Sequence, residues 1–448
     1  MRTTESSAQA PALDLPGDLE SIAVRPGESR YASLRHTYTR RGSPGAVLLV
    51  RDSTAIAAAL AQARAARVPL TVRSGGHGVS GRSTNDGGLV VDLTDLNSVE
   101  LLDARSGLVR VGAGARWGDV AAALAPYRLA LSSGDTGDVG VGGLATAGGI
   151  GLMCRAHGLT IDHMTAAEIV LADGSAVRAD ADHHPDLFWA VRGAGANFGI
   201  ATAFEFQAQP AYEVTVAVTL YDAARTGDFL IGWGAAVEAA PRAVTSFLTL
   251  VRGPGGRPIA QVMTVYAGPR TPQATSALDP LLAAGPVLRN DIATMPYHRL
   301  LPAHHSPQHA QQPLTASRSA LLDHLTPPAA EAVAGLLTAA DIVQLRSVGG
   351  AVNDLPPHAM AYAHRTQNFS LMAAALPALG DDLDRQWQRL APHLNGLYLS
   401  FETRTGQQQL RDAFPGAVLD RLIALKATYD PDHLFDNNFA LPSAPFSG

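Results

Sequence analysis

Arg73-Ser74-Gly75-Gly76-His77-Gly78 sets three glycines about a single histidine, directly after an apolar run. With no Cβ in the way, such a backbone approaches a ligand closely and aims several N–H groups at one anion. Upstream, Val68–Val72 (VPLTV) reads as a strand and Ala46–Val50 (AVLLV) as a buried one. Between them Asp52 and Ser53 offer capping oxygens to an Ala-rich helix over Thr54–Ala66. Strand, helix, strand and glycine turn in that order predict an α/β unit. Downstream, Leu89–Leu93 and Leu108–Val111 read as strands and Trp117–Leu124 as a short helix. A second, longer glycine cluster runs from Gly134 to Gly151. Ala166–Leu171, Ala172-Asp173-Gly174 and Ser175–Arg178 spell a β-hairpin, and Phe188–Val191, Gly193, Gly195 and Ile200–Gln207 close the region.

Glycine thins out beyond Pro210. Val214–Leu220 and Val262–Tyr266 are β-like, and Pro328–Ala339, Asp381–Leu390 and Val418–Tyr429 are helical. A separate middle domain with a sheet and covering helices is expected, with residues 1 to about 20 as a loose arm. At 448 residues the chain exceeds what one core usually serves, so two lobes are expected. Hydrophobic residues at 46% and charged residues at 17% place it among ordinary globular proteins. A net charge of −6 without a long basic run argues against nucleic acid or anionic membrane as partner. Neither a secretory start nor a membrane-length apolar run is evident, so a cytoplasmic location is the default expectation. Cys154, the one cysteine, forbids an intrachain disulfide.

Two glycine clusters in one lobe suit a dinucleotide. Gly140-Val141-Gly142-Gly143-Leu144-Ala145 matches the nicotinamide pattern G-x-G-x-x-A, with Asp162 at a suitable later spacing. The residues before it, Ser132 to Asp138, cannot form the buried strand that fingerprint needs. That reading is set aside.

Arg73-Ser74-Gly75-Gly76-His77, Val90-Val91-Asp92-Leu93, Val139-Gly140-Val141-Gly142-Gly143-Leu144 and Gly148-Gly149-Ile150-Gly151 together resemble the berberine-bridge-enzyme-like FAD-linked oxidases. These belong to the vanillyl-alcohol-oxidase, or PCMH-type, flavoproteins. The series continues through His157–Asp162, Ala172-Asp173-Gly174, Pro185–Ala190 and Arg192–Gly199, and resumes at Lys426–Phe435 and Asn438. The resemblance implies a two-lobed α+β fold in which two α/β subdomains hold FAD. The FAD domain would span 1–210, an antiparallel substrate domain covered by helices 211–394, and a returning segment 395–448. It implies that His77 is bonded to the flavin 8α-methyl, while Arg73, Ser74, Gly75, Gly76 and Gly78 wrap the pyrophosphate. Thr136, Val139, Gly140, Gly142, Gly143, Gly148, Gly149 and Gly151 follow from the second segment, and Ile200 and Asn438 complete the cofactor set. The cysteine that gives many relatives a second flavin link would stand at or next to Thr136. Cys154 lies elsewhere, so a single link is expected, with Cys154 a buried apolar residue.

Oxidation of an alcohol also needs a base. The family's Y-x-N-[FY] segment reads Tyr398-Leu399-Ser400-Phe401 here, so Tyr398 is the candidate, with serine in place of asparagine. Holding a tyrosine of pKa about 10 as phenolate at pH 7 costs roughly 4 kcal/mol. A nearby cation must offset much of that, and Arg365 is the candidate. Glu402 would share a face with Tyr398 on an unbroken strand and is the second candidate base, ranked below Tyr398 because a solvated strand-end carboxylate is the preferred reading. Tyr266, Tyr297, His298, His304, His305 and Tyr362 are candidates for substrate contact. The pairs His183-His184 and His304-His305 read as surface loops rather than metal ligands. The expected activity is oxidation of a small sugar or secondary-metabolite alcohol, with O2 as electron acceptor. Oxygen insertion is the enzymatic alternative. A flavin-binding protein without turnover is the non-enzymatic one, motivated by Ser400 and the weak middle-domain match.

Overall fold

The computed structural model describes residues 13–210, 213–305 and 315–444. The arm expected at the N-terminus lies largely outside them, although Gly17–Glu20 forms a helical turn that buries Leu19. The first sheet holds β1 (Ala23–Val24), β2 (Ala46–Leu49), β3 (Leu70–Arg73) and β4 (Leu89–Asp92) in the order β1-β2-β4-β3. Its strands β2, β4 and β3 run parallel, and β4 is buried at every position, as a strand covered on both faces must be. Helix α1 (Ser53–Ala66) crosses from β2 to β3; Asp52 caps it by accepting the Ala55 N–H at 2.8 Å.

The second sheet is antiparallel. It comprises β5 (Val99–Asp103), β6 (Leu108–Gly112), β7 (Met164–Val170), β8 (Ala176–Asp180) and β9 (Ile200–Gln207), ordered β5-β6-β9-β7-β8. Helix α2 (Trp117–Leu124) follows β6, and a five-residue helix α3 (Val141–Ala145) opens from the second glycine cluster. Phe188–Val191 belongs to helix α4 (Pro185–Ala194).

The third sheet has seven antiparallel strands. They are β10 (Glu213–Asp222), β11 (Val244–Arg252), β12 (Pro258–Tyr266), β13 (Val287–Pro296), β14 (Ala316–Leu322), β15 (Ile342–Ser347) and β16 (Phe369–Ala375). Their order is β13-β10-β12-β11-β15-β16-β14. Strand alternation gives the sheet two apolar faces. Leu248, Leu250, Val343 and Leu345 pack under helices α5 (Thr226–Ala239), α6 (Pro272–Leu282), α7 (Pro327–Leu336) and α8 (Gly380–Leu390). Phe247, Val216 and Leu321 turn the other way, onto Ile150, Tyr362 and Tyr398. That second face is what brings the sheet over the glycine clusters. The last helix, α9 (Ala417–Tyr429), rejoins the first core: Leu419, Leu422, Phe435 and Phe439 pack there with Val91, Val111 and Phe204.

Lys426 fixes that return. Its buried ammonium donates to Asp430 Oδ2 at 2.7 Å and to the carbonyls of Asn197 and Phe435 at 2.9 and 2.8 Å. Asp430 in turn accepts from the N–H groups of Leu434 and Phe435. A buried ion pair survives only when its remaining hydrogen-bonding capacity is met, as it is here.

Candidate active site

The two glycine clusters meet back to back. A Cβ on Gly75 would stand 2.2 Å from the Gly140 nitrogen, and one on Gly140 would stand 2.1 Å from the Gly75 nitrogen. Glycine is required at both for the backbones to touch. Ser74 joins the clusters by donating to the Ala113 carbonyl at 2.6 Å while accepting the Gly142 N–H at 3.2 Å. Arg116 ties them again, donating to the carbonyls of Gly75 at 2.8 Å and Asp138 at 2.6 Å. The imidazole of His77 stacks on Tyr38, centroids 5.2 Å apart and planes 19° from parallel, and the Tyr38 N–H bonds the Gly76 carbonyl at 2.8 Å. Sequence reading missed Tyr38 and Arg116, whose roles depend on contacts across long loops.

A cavity of about 1860 Å³, counted with its open mouth, runs along this junction. Ser74, Gly75, Gly76, His77 and Gly78 line it from the first turn; Val139, Gly140, Gly142 and Gly143 line it from the second. Ile200, Asn438 and Tyr398 also face it. Six predicted site residues do not. The Arg73 guanidinium points away, bound by Asp92 Oδ2 at 2.5 and 2.7 Å and by the Leu34 carbonyl. Thr136 is exposed beside the cavity, and its neighbour Asp135 takes the wall position. Gly148, Gly149 and Gly151 stand one layer behind: a Cβ on Gly148 would meet the Tyr398 ring at 2.9 Å, and one on Gly151 would meet Ser132 at 2.5 Å. Arg365 is the sixth. Its guanidinium is spent on Asp162, with bonds of 2.7 and 3.0 Å, and lies over the Tyr362 ring.

The cation in the wall beside Tyr398 is Arg346. It is 6% exposed, lies over the Phe401 ring at 4.3 Å and bonds Asp135 Oδ2 at 3.0 and 3.2 Å. Tyr398 starts a 3-10 turn (Leu399–Phe401) rather than sitting in a strand. Its hydroxyl accepts the Gly149 N–H at 3.1 Å, and its ring meets Tyr362 edge-on at 6.3 Å. Burial raises the Tyr398 pKa, while the Ser400 hydroxyl, the Gly149 N–H and the charge of Arg346 pull against it. Glu402 is neither solvated nor on the face of Tyr398: it is fully buried, with both oxygens taken by Arg404 at 2.9 and 3.1 Å. Of the middle-domain candidates, Tyr297 and Tyr362 are buried with pKa values raised by burial; the cavity lining includes none of the six. His304 and His305 are exposed, and their backbone N–H groups bond Asp138.

The cavity wall asks for a polar ligand. Buried atoms Arg82 Nε, Arg346 Nη1 and Asn438 Oδ1 have no hydrogen-bond partner among the described residues, and all three residues line it. At Gly143 a Cβ would meet nothing within 4 Å, so that stretch of wall has room for a bound group. Cys154 faces elsewhere: its thiol is fully buried against the Ser347 carbonyl at 3.4 Å, and burial pushes its pKa up to about 12. Among the described residues no group of three or more His, Cys, Asp or Glu is placed to hold a metal, and no helix is long and apolar enough to cross a membrane.

Residues 44–180 match the family profile of an FAD binding domain. The chain is 30% identical over 437 residues to a xylooligosaccharide oxidase of Thermothelomyces thermophilus, covering 88% of this chain and 86% of the other. It is 35% identical over 197 residues to an (R)-6-hydroxynicotine oxidase of Paenarthrobacter nicotinovorans; that match covers 44% of this chain and 43% of the relative. A glucooligosaccharide oxidase of Acremonium strictum, described with a 6-S-cysteinyl, 8α-N1-histidyl FAD, shares the fold. Its TM-score is 0.81 at 22% identity, over 95% of this chain and 97% of that one.

Proposed function

The chain belongs to the PCMH-type FAD-linked oxidases, and from that membership we propose that it oxidises a small alcohol, a sugar hemiacetal or a secondary-metabolite hydroxyl, with FAD bound through His77. Bound there, FAD would supply the hydride acceptor, with O2 as the final electron acceptor and H2O2 as its product. The observation that carries the reading is one cavity shared by both glycine turns, His77 and Tyr398. Backbone N–H groups of the turns would hold the pyrophosphate, as fixed donors suit an anion. Arg82 and Asn438 have buried polar atoms to satisfy along the same wall. The His77 imidazole, braced by Tyr38, offers the ring nitrogen for the covalent bond. A second bond has no sulfur to use, since Thr136 holds the expected place and Cys154 faces away.

Tyr398 takes the proton of the substrate hydroxyl as its C–H bond gives up hydride, leaving a carbonyl. Arg346, in the same cavity wall, offsets the charge that the phenol oxygen gains. The 3-10 turn and the edge-on Tyr362 hold the ring in place. A screen of sugars and alcohols on purified protein, following flavin bleaching without air and peroxide in air, tests the proposal. Peroxide equal to product is expected. Product without peroxide points instead to oxygen insertion, and no bleaching by any compound removes the enzymatic reading.

A further inference from the structure

Strand β13 ends the seven-stranded sheet, with no strand beside its outer edge among the described residues. Among the described residues it pairs with β10 alone, and Val287 through Asp291 are exposed at every position, so no described helix covers either face there. Val287 and Leu288, 44% and 57% exposed, are among the most exposed large apolar side chains of the described residues. An edge strand of this length presents a row of backbone donors and acceptors to any incoming strand.

We propose that a second copy of this chain docks here, its β13 antiparallel to the first about a twofold axis through Asn290. The two seven-stranded sheets become one. Charge favours this arrangement. Arg289 and Asp291 stand on one face of the strand, with Nε and Oδ2 2.6 Å apart. An axis through Asn290 sets Arg289 opposite the partner's Asp291, and Asp291 opposite the partner's Arg289. An axis one residue either way sets Arg289 against the partner's Arg289, or Asp291 against the partner's Asp291. Like charges directly opposite destabilise a ladder and unlike ones stabilise it, so charge selects the register. The exposed apolar start of the strand then overlies the partner's Ile292 and Ala293. Charges on an edge ordinarily discourage pairing, but here their alternation is self-complementary, as a twofold interface requires. No residue of the flavin cavity lies on β13, so the pairing stands apart from the activity.

Sedimentation velocity of the full-length flavin-loaded protein across the micromolar range tests this. The wild-type chain is expected at twice its 46.7 kDa. Arg289→Asp and Asp291→Arg singly place like charges face to face and are expected to weaken association by about tenfold or more. The double exchange, Arg289→Asp with Asp291→Arg, restores the alternation and is expected to recover the dimer. Flavin absorbance per chain, unchanged in all three, shows that they fold. A wild-type chain at monomer mass throughout overturns the proposal. So does a dimer indifferent to the single reversals, or a double variant that stays apart.

Discussion

Tyr398 is held by Gly149, Tyr362 and Phe401, in a wall that also carries Arg346 and its partner Asp135. Burial keeps the phenol protonated, so its base form grows only as pH rises. Flavin reduction is therefore expected to quicken toward alkaline pH. Removing the cation with Arg346→Gln raises the phenol's pKa further and moves that rise to higher pH; Arg346→Lys largely keeps it. Tyr398→Phe is expected to slow reduction by about 10²–10⁴ with substrate binding roughly kept. Anaerobic stopped-flow against pH reads all three variants, and a profile untouched by Arg346→Gln would take that residue out of the mechanism. The sequence pointed to Arg365 for this task because it shows cations, not their partners. Asp162, 203 positions away, holds that guanidinium away from the cavity, whereas Arg346, though paired with a carboxylate 211 positions away, stays in the wall and acts on Tyr398. Glu402 was misread for a different reason. Its partner Arg404 is only two residues on, a local signal that a strand reading hid.

At the scale of elements, the glycine turns work as a pair. Helix α3 starts at Gly140, and the backbone there rests on Gly75. Gly75→Ala and Gly140→Ala each force backbone apart and are expected to yield protein with markedly less flavin per chain, read from the ratio of visible to protein absorbance. Full occupancy in both would show that the turns need not touch. The spacing of these glycines was plain in the sequence, and so were β2, α1, β4, the β7–β8 hairpin and β9, because apolar runs and turn residues are local properties. That Gly148, Gly149 and Gly151 serve the packing of Tyr398, Thr160 and Ser132 rather than the cavity was not legible. A glycine records that space is short without saying what fills it.

Across the whole molecule, burial leaves several histidines neutral. His157, His163 and His364 all have pKa values lowered by burial, His364 to about 4. Between that value and the unfolded value near 6.5 the unfolded chain binds a proton that the folded chain refuses, so stability falls as pH falls through this window. For His364 alone the loss reaches about 2 kcal/mol by pH 5. Urea midpoints measured from pH 7 to pH 5 are expected to drop accordingly, and a flat profile would show that burial does not outweigh the bond from the ring to the Ala413 carbonyl. The fold itself was legible in outline. The return of the last helix through Lys426 was not, because it depends on a buried ion pair that became visible only with its partners.

The proposed covalent link at His77 is the centre of the functional reading. Precipitating the purified protein with acid and sequencing its yellow peptide by mass tests it most directly. The account predicts colour that stays with the pellet, a flavin adduct on the peptide carrying His77, and a colourless pellet from His77→Ala. Yellow supernatant over a white wild-type pellet, with an unmodified His77 peptide, would contradict it.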